Sequence, residues 1–298
     1  MDLRQSDRYV YFMESIGWKV RRIAGVNVFI KHFPLIGSFI KIQRATTIPD
    51  ISQIKTLINK ERAFKVVIEP DVNCNVSELE NHGFKLTSPY APSKTIQIDL
   101  TPPLDAVFNG FTEAKQIAVR KAEKYGLVIK EGLVEDFIQL KARGFLFLQN
   151  SISNQIRKLH QAFSPNKAIV LLACLAGFPL NQSENFTKNR HSEFVLGSSL
   201  VAGILLLFYS HITYYWMAAA TNEGKKLAAP SFLVWEALKL GKSRGCTIFD
   251  FEGVFDERFP KQTSSWKGFT KFKEGFGGKT IFFPAPLGKS FVPFLQYQ

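Results

Sequence analysis

Two lysines compete for a chemical role in KGFTKFKEGFGGKT, residues 267–280. Its Gly-Gly-Lys-Thr ending is like the tail of a phosphate-binding loop, which needs a glycine six residues before the lysine, a strand ahead and a helix behind. Six residues before Lys279 stands Lys273, and the TIFFPAPLGKS beyond, with β-branched and aromatic residues and two prolines, reads as a strand and a turn. A nucleotide-binding loop is not expected here. What remains is lysine interleaved with phenylalanine. If residues 269–273 are extended, alternation puts Lys271 and Lys273 on one face and Phe272 on the other. In such a strand Phe272 anchors in the core and its flanking lysines face a cleft. An ammonium held in this way stabilises a developing oxyanion without changing its own protonation.

Carboxylates supply the other candidate chemistry. VVIEPD carries Glu69 and Asp71, and IFDFEG carries Asp250 and Glu252, each pair at the end of an apolar strand. Sites gather at strand ends in α/β folds, although a capping or solvated carboxylate has the same appearance. Glu69 is the candidate proton acceptor. It precedes Pro70, whose missing N–H ends strand pairing, and a carboxylate shielded there has a raised pKa suited to base work. The five histidines are scattered, without HExxH, and neither a G-x-S-x-G elbow nor a G-x-G-x-x-G after a strand is present. Cys74, Cys174 and Cys246 are far apart and form no CxxC pair, so neither a zinc site nor a disulfide framework is expected, which suits a reducing cytosol.

The elements that must position these groups alternate along the chain. TPPLDAVFNGFTEAKQIAVRKAEKYG spaces Leu104, Phe108, Phe111, Ala118, Ala122 and Tyr125 as one helix, with Thr101 as its cap, and PSFLVWEALKLGKSRG repeats the design from Pro230 to Gly245. Each precedes a strand candidate, LVIKEG and CTIFDFEG. Three apolar runs, AIVLLACLAG, FVLGSSLVAGILLLFY and ITYYWMAAA, read as adjacent strands buried on both faces, with a hairpin at Ser210 and His211. The middle run is 16 residues long and marginal for crossing a bilayer. The N-terminus lacks a long apolar core, so no signal peptide is expected and the Asn-x-Ser/Thr matches at Asn75, Asn181 and Asn185 carry no weight. A mixed α/β or α+β architecture follows.

Charge narrows the partners. The 298 residues hold 38 Lys+Arg against 25 Asp+Glu, a net +13. Residues 1–65 have 12 basic and 5 acidic residues, and residues 258–289 have 7 and 1. Both regions are rich in aromatics, so neither is a disordered basic tail. A polyanionic partner is expected: nucleic acid, a nucleotide-linked substrate or an anionic membrane surface.

With these pieces in order, LAAPSFLVWEALKLGKSRGCTIFDFEGV followed by GFTKFKEGFGGKTIFFPAPLG resembles the C-terminal half of the FemABX-type aminoacyltransferases. The matching residues are Ala229, Pro230, Trp235, Glu236, Phe249, Asp250, Gly253, Phe272, Lys273, Phe276 and Gly277. ESIGWKVRR, VVIEPD and KTIQIDLTPPLDAVFNGFTEAKQIAVRKAEKYG resemble the N-terminal half. The resemblance implies two tandem GNAT-like domains without a helical-hairpin arm: 1–132 plus 279–298 on the acceptor side, and 133–278 on the donor side. It implies transfer of an amino acid from aminoacyl-tRNA to an amine of a peptidoglycan precursor, nucleotide- or lipid-linked, or of a related envelope acceptor. The setting would be cytoplasmic, with at most peripheral membrane contact and no DNA. The donor ester is already activated, so positioning and charge stabilisation suffice, and no metal or cofactor is expected.

By the same resemblance Lys273 and Glu69 are the catalytic candidates, and Arg22, Arg44, Phe272, Asp250 and Trp216 bind substrate, the two arginines holding an anionic acceptor group. The departures lie on the acceptor side. Gln116 stands where an Arg is usual, Ser151 falls where another is found, YYWMAAAT replaces a Tyr-x-Tyr-Gly-Ala-Ser run, and an Arg-Gly-Pro-like segment is reduced to Arg44-Ala45-Thr46. Two other readings stay open: a GNAT-fold acyltransferase using acyl-CoA or another donor, and a non-catalytic RNA- or envelope-binding protein.

Overall fold

The computed structural model describes residues 2–142, 149–175 and 199–291. The Asn181 and Asn185 matches and residues 292–298 of the expected first domain lie outside the described residues. Two mixed sheets form the framework. The first is built from β1 (Lys19–Ile23), β2 (Val26–Phe33), β3 (Gly37–Ala45), β4 (Ala63–Pro70) and β5 (Lys85–Leu86). The second contains β6 (Lys94–Asp99), β7 (Leu127–Gly132), β8 (Ala168–Leu175), β9 (Ser199–Tyr209), β10 (Ile212–Ala220), β11 (Ile248–Gly253) and β12 (Lys279–Phe282). The chain then returns, and β13 (Leu287–Ser290) inserts between β4 and β5. The strand orders are 1-2-3-4-13-5 and 12-6-11-10-9-8-7. Helices α1 (Asp7–Ser15), α2 (Ile51–Lys60), α3 (Ser77–Asn81), α4 (Leu104–Asn109), α5 (Glu113–Lys124), α6 (Val134–Ala142), α7 (Gln149–Phe163), α8 (Asn222–Lys226), α9 (Ala229–Ser243), α10 (Pro260–Thr263) and α11 (Lys267–Glu274) cover them.

The three apolar runs are neighbouring strands, β8, β9 and β10, as their composition requires. In β9, Ile204, Leu206 and Phe208 face a core made with α5 and α9, while Leu205 and Leu207 face a second core made with α1, α6 and α7. A strand buried on both faces reads as a continuous hydrophobic run. β9 and β10 are joined through Ser210 and His211, both at positive φ (46° and 62°), the conformation that lets a two-residue turn follow the twist of its strands. A third core lies in the first sheet, under α2 and α3. Among the described residues no helix is long and apolar enough to cross a membrane.

Three expectations are corrected. The sheets do not divide at residue 132: β6, β7 and β12 all pair within the second sheet, and only β13 returns to the first. The helix expected over 104–125 is two, broken at Gly110–Thr112. There the N–H and hydroxyl of Thr112 donate to the Gly275 carbonyl, and Phe111 packs against Trp235 and Phe276. Residues 267–274 are helical, not extended. In α11, Thr270 and Lys273 turn inward at helical spacing, and Phe269 lies one turn before Lys273.

The chain leaves α11 through Gly277 and Gly278, both at positive φ (71° and 91°). A Cβ on Gly277 would sit 2.5 Å from the Gly110 carbonyl oxygen, and one on Gly278 would sit 2.6 Å from that of Gln97. Contact with other backbone accounts for these glycines without an approaching RNA. Gly277→Ala is expected to destabilise the protein by about 1–3 kcal/mol, from overpacking added to left-handed strain, measured by urea unfolding.

Candidate active site at the parting of two strands

β10 and β11 run parallel but pair over only three positions, Ile212–Tyr214 against Ile248–Asp250. Beyond them the strands part. Both are irregular at this point: β10 shifts register between Tyr215 and Met217, and β11 between Asp250 and Gly253, with Glu252 at φ 57°. Non-glycine residues held at such angles cost free energy and gather at functional sites. A cavity of about 780 Å3 opens at the parting, roofed by α11 and walled by β3 and the Tyr90–Pro92 segment.

Lys273 reaches from α11 into the lining of this cavity. Its side chain is 6% exposed, and its Nζ donates to the carbonyls of Phe251 and Gly253, each at 2.7 Å. These acceptors belong to β11 where it has left β10. An ammonium has three donors, so one N–H remains beyond these two bonds, and the residue lines the cavity. Burial pushes its pKa down to about 8, against the pull of Glu252 and Asp250. Phe272 lines the same cavity from half-buried packing, with its ring 3.8 Å from the Lys115 ammonium and 5.2 Å from Phe276. Lys279 is exposed at the start of β12.

Opposite Lys273 stands an ion pair absent from the sequence-based expectations. Arg4, 4% exposed, lies in a 3-10 turn at Leu3–Gln5, donates to Glu252 Oε2 at 2.8 Å and pairs with Asp2 at 3.2 Å. Its guanidinium lies 5.1 Å from the Trp216 ring centroid. Burial opposes the Arg4 charge, but the Glu252 and Asp2 carboxylates outweigh burial, and its pKa is raised. The same turn ties the two sheets together: Gln5 bridges the Gln43 carbonyl and the Asn27 N–H, and the Leu3 N–H donates to the Tyr214 hydroxyl.

The predicted residues separate into three groups. Lys273, Phe272 and Trp216 share the main cavity. Asp250 and Arg44 line a tight space behind it, with Arg4 and Glu252 common to both. Asp250 accepts from Thr95 and Gln97 and from the Glu252 N–H, and burial, reinforced by Glu252, raises its pKa to about 6. Arg44 is buried over the Phe283 ring and donates to the carbonyls of Pro92 and Pro70. Glu69 and Arg22 lie outside the cavity. Glu69 is 2% exposed, and its oxygens accept from the N–H groups of Tyr90 and Ala91 and from the Gln43 amide, at 2.6–2.7 Å. This geometry corrects its reading as a base: it holds the Tyr90–Pro92 wall from behind. Arg22 is exposed on β1, bound to Asp7 and Asn27, so it does not join Arg44 around one anion.

The residues missed are Arg4, Lys41 and the cavity role of Glu252. Lys41 had a legible signal: in β3 it alternates with Ile40 and Ile42, which puts it on the face opposite the core. Among the described residues no His/Cys/Asp/Glu group suited to a metal is present.

Residues 180–284 match the FemAB family model, a span that contains β9 to β12, α9 and α11. Over nearly its full length the chain is similar to the crystal structure of FemX, at 17% identity and TM-score 0.76, covering 97% of this chain and 92% of that one. It is also similar to L-PGS from Bacillus licheniformis (11%, TM-score 0.57, 94% and 86%) and to a tandem GNAT protein from the clavulanic acid biosynthesis pathway (9%, TM-score 0.51, 90% and 83%). No curated protein matches the sequence. The fold is the GNAT-like one, and the parting of its two parallel strands carries the site. Residues 180–284 are thus a FemAB-family segment, carried on a fold that the chain shares with FemX and with a tandem GNAT protein.

Removing one member of a buried ion pair leaves its partner uncompensated. Arg4→Met is expected to cost about 3–5 kcal/mol, and adding Glu252→Met should restore much of that loss. A double-mutant cycle by urea unfolding measures the coupling.

Proposed function

We propose that the chain transfers an amino acid from aminoacyl-tRNA to an amine of a peptidoglycan-precursor peptide or a related cell-envelope acceptor. The observation that carries this reading is the cavity at the strand parting, to which the FemAB-matched segment contributes ten of eighteen lining residues, among them Lys273 with one N–H to spare. In the proposed reaction the acceptor nitrogen attacks the ester carbonyl, the carbonyl oxygen becomes an oxyanion, and the C–O bond to the tRNA ribose breaks. The one proton that the neutral amine gives up ends on the ribose oxygen, which leaves as a hydroxyl; an acceptor that starts as an ammonium first loses its extra proton to solvent. Lys273 donates its remaining N–H to the oxyanion. The net +13 charge favours a polyanionic donor by counterion release. A cytoplasmic setting is part of the proposal, because charged tRNA is found there. In this reading the second sheet serves the donor and the first sheet, with the Tyr90–Pro92 wall, serves the acceptor.

Lys273→Ala is expected to slow single-turnover transfer by about 100- to 1000-fold, the usual loss for one oxyanion donor, while Lys279→Ala keeps its rate. Folding of both is checked by thermal unfolding. Equal rates in the two variants would overturn the role of Lys273. The Lys273 pKa is lowered by burial to about 8 and the charged form does the work, so the rate should fall as pH rises through that value. Acyl transfer from acyl-CoA, with none from aminoacyl-tRNA, would replace this reading with the acyl-CoA one.

A further inference from the structure

Tyr9, Lys41, Trp216 and Met217 line both the main cavity and, next to it, a second lobe of about 480 Å3. Its volume is within the roughly 300–1,000 Å3 of small-molecule sites. Its walls are apolar: Phe12, Met13 and Ile16 of α1, Trp18, and Leu159 of α7. Such walls cannot replace the hydrogen bonds of a polar ligand with water. Two ammonium groups face the lobe. Lys31 is occupied, donating to the carbonyls of Ile16 and Gly17. Lys41, at the junction of the two lobes, makes no hydrogen bond or ion pair among the described residues, and its Nζ lies 4.5 Å from the Trp18 ring centroid and 5.8 Å from that of Phe29. Glu69 attracts it, but three donors already occupy the Glu69 oxygens.

We propose that this lobe binds an amphiphile: an apolar chain lying along Phe12, Ile16, Leu159 and Met217, with one anionic group, phosphate or carboxylate, seated on the Lys41 ammonium. The apolar walls account for the chain, and the cation without a partner accounts for the head. Burial, with Glu69 pulling the other way and Arg4 adding to the effect, pushes the Lys41 pKa down to about 8, and an anion bonded to it would relieve that penalty. The head end faces the cavity that holds Lys273, so the bound molecule enters the reacting region with its polar end first. Binding at this site requires no donor and no turnover, so its failure leaves the transfer reading untouched.

The test uses the full chain with octyl phosphate and octanoate below their micellar concentrations, and with octanol and inorganic phosphate as controls. Trp18 and Trp216 line the lobe and report binding by fluorescence, and calorimetry gives the stoichiometry. At least one anionic amphiphile should bind saturably at one per chain, at least tenfold tighter than octanol or inorganic phosphate. If only one binds, that identifies the head group. Lys41→Met should weaken the anionic ligand by about ten- to a hundredfold, the worth of a hydrogen bond to a charged group, and leave octanol unchanged. Gln155→Trp, at an exposed position on α7 at the lobe's edge, should weaken every chain-bearing ligand without disturbing the fold. The proposal is overturned by an absence of saturable binding, by equal affinity in Lys41→Met, or by unchanged affinity in Gln155→Trp. It is also overturned if inorganic phosphate binds as tightly as octyl phosphate.

Discussion

The backbone of β11 has to be satisfied after it leaves β10. Two parallel strands that separate inside a protein strand the carbonyls and amides that once faced each other, and unpaired polar groups are costly when water is excluded. Here one ammonium takes up two of the carbonyls, those of Phe251 and Gly253. α11 must therefore lie over the gap, and Phe269, Phe272 and Phe276 supply its apolar contacts there. The cavity is what remains between the parted strands and this helix. A lysine that repairs the sheet is also fixed in place, so its third donor is preorganised without further machinery.

The second sheet cannot complete the site alone. Its far wall comes from the first sheet, and polar contacts join the two beside the apolar cluster that Phe29 of β2 shares with Leu205, Leu207 and Tyr214. Glu69 ends β4 and gathers the N–H groups of Tyr90 and Ala91, while Gln5 and Arg4 carry the N-terminal turn across to β2, β3 and β11. Charges enclosed at this seam depend on their neighbours. Arg4 has two carboxylates and a raised pKa, whereas Lys41 and Lys115 are bonded to none, and burial, which Glu69 only partly offsets at Lys41, lowers both to about 8. The direction of each shift follows from whether a counter-ion reached the group.

Much of this was legible in the sequence, for reasons that differ by element. The runs that became β8, β9 and β10 announced themselves because burial on both faces leaves no room for polar alternation. The helix at Ala229–Ser243 was legible through Pro230 and Gly245, local signals that need no tertiary partner. Residues 267–274 were misread because Lys and Phe alternate at 271–273 while the helical period is carried by Phe269, Phe272 and Lys273, and a window that short satisfies both patterns. Glu69 was misassigned because a strand-end carboxylate looks the same whether it faces substrate or three backbone and amide donors. Arg4 could not be found at all: its partner is 248 residues away, and nothing local to DLRQS distinguishes a surface arginine from a buried one.

The position of β13 bears on how the molecule is made. It lies between β4 and β5, so the first sheet lacks an interior strand until residues 287–290 have been synthesised. During synthesis the edge of β4, with Val66, Val67 and Ile68, has no neighbour on that side, while β6 to β11 of the second sheet, all but its edge strand β12, have already been made. Open strand edges of this kind recruit other chains. The N-terminal half of the chain therefore completes its sheet last, and the order of emergence from the ribosome is the reverse of the order in which the two sheets can close.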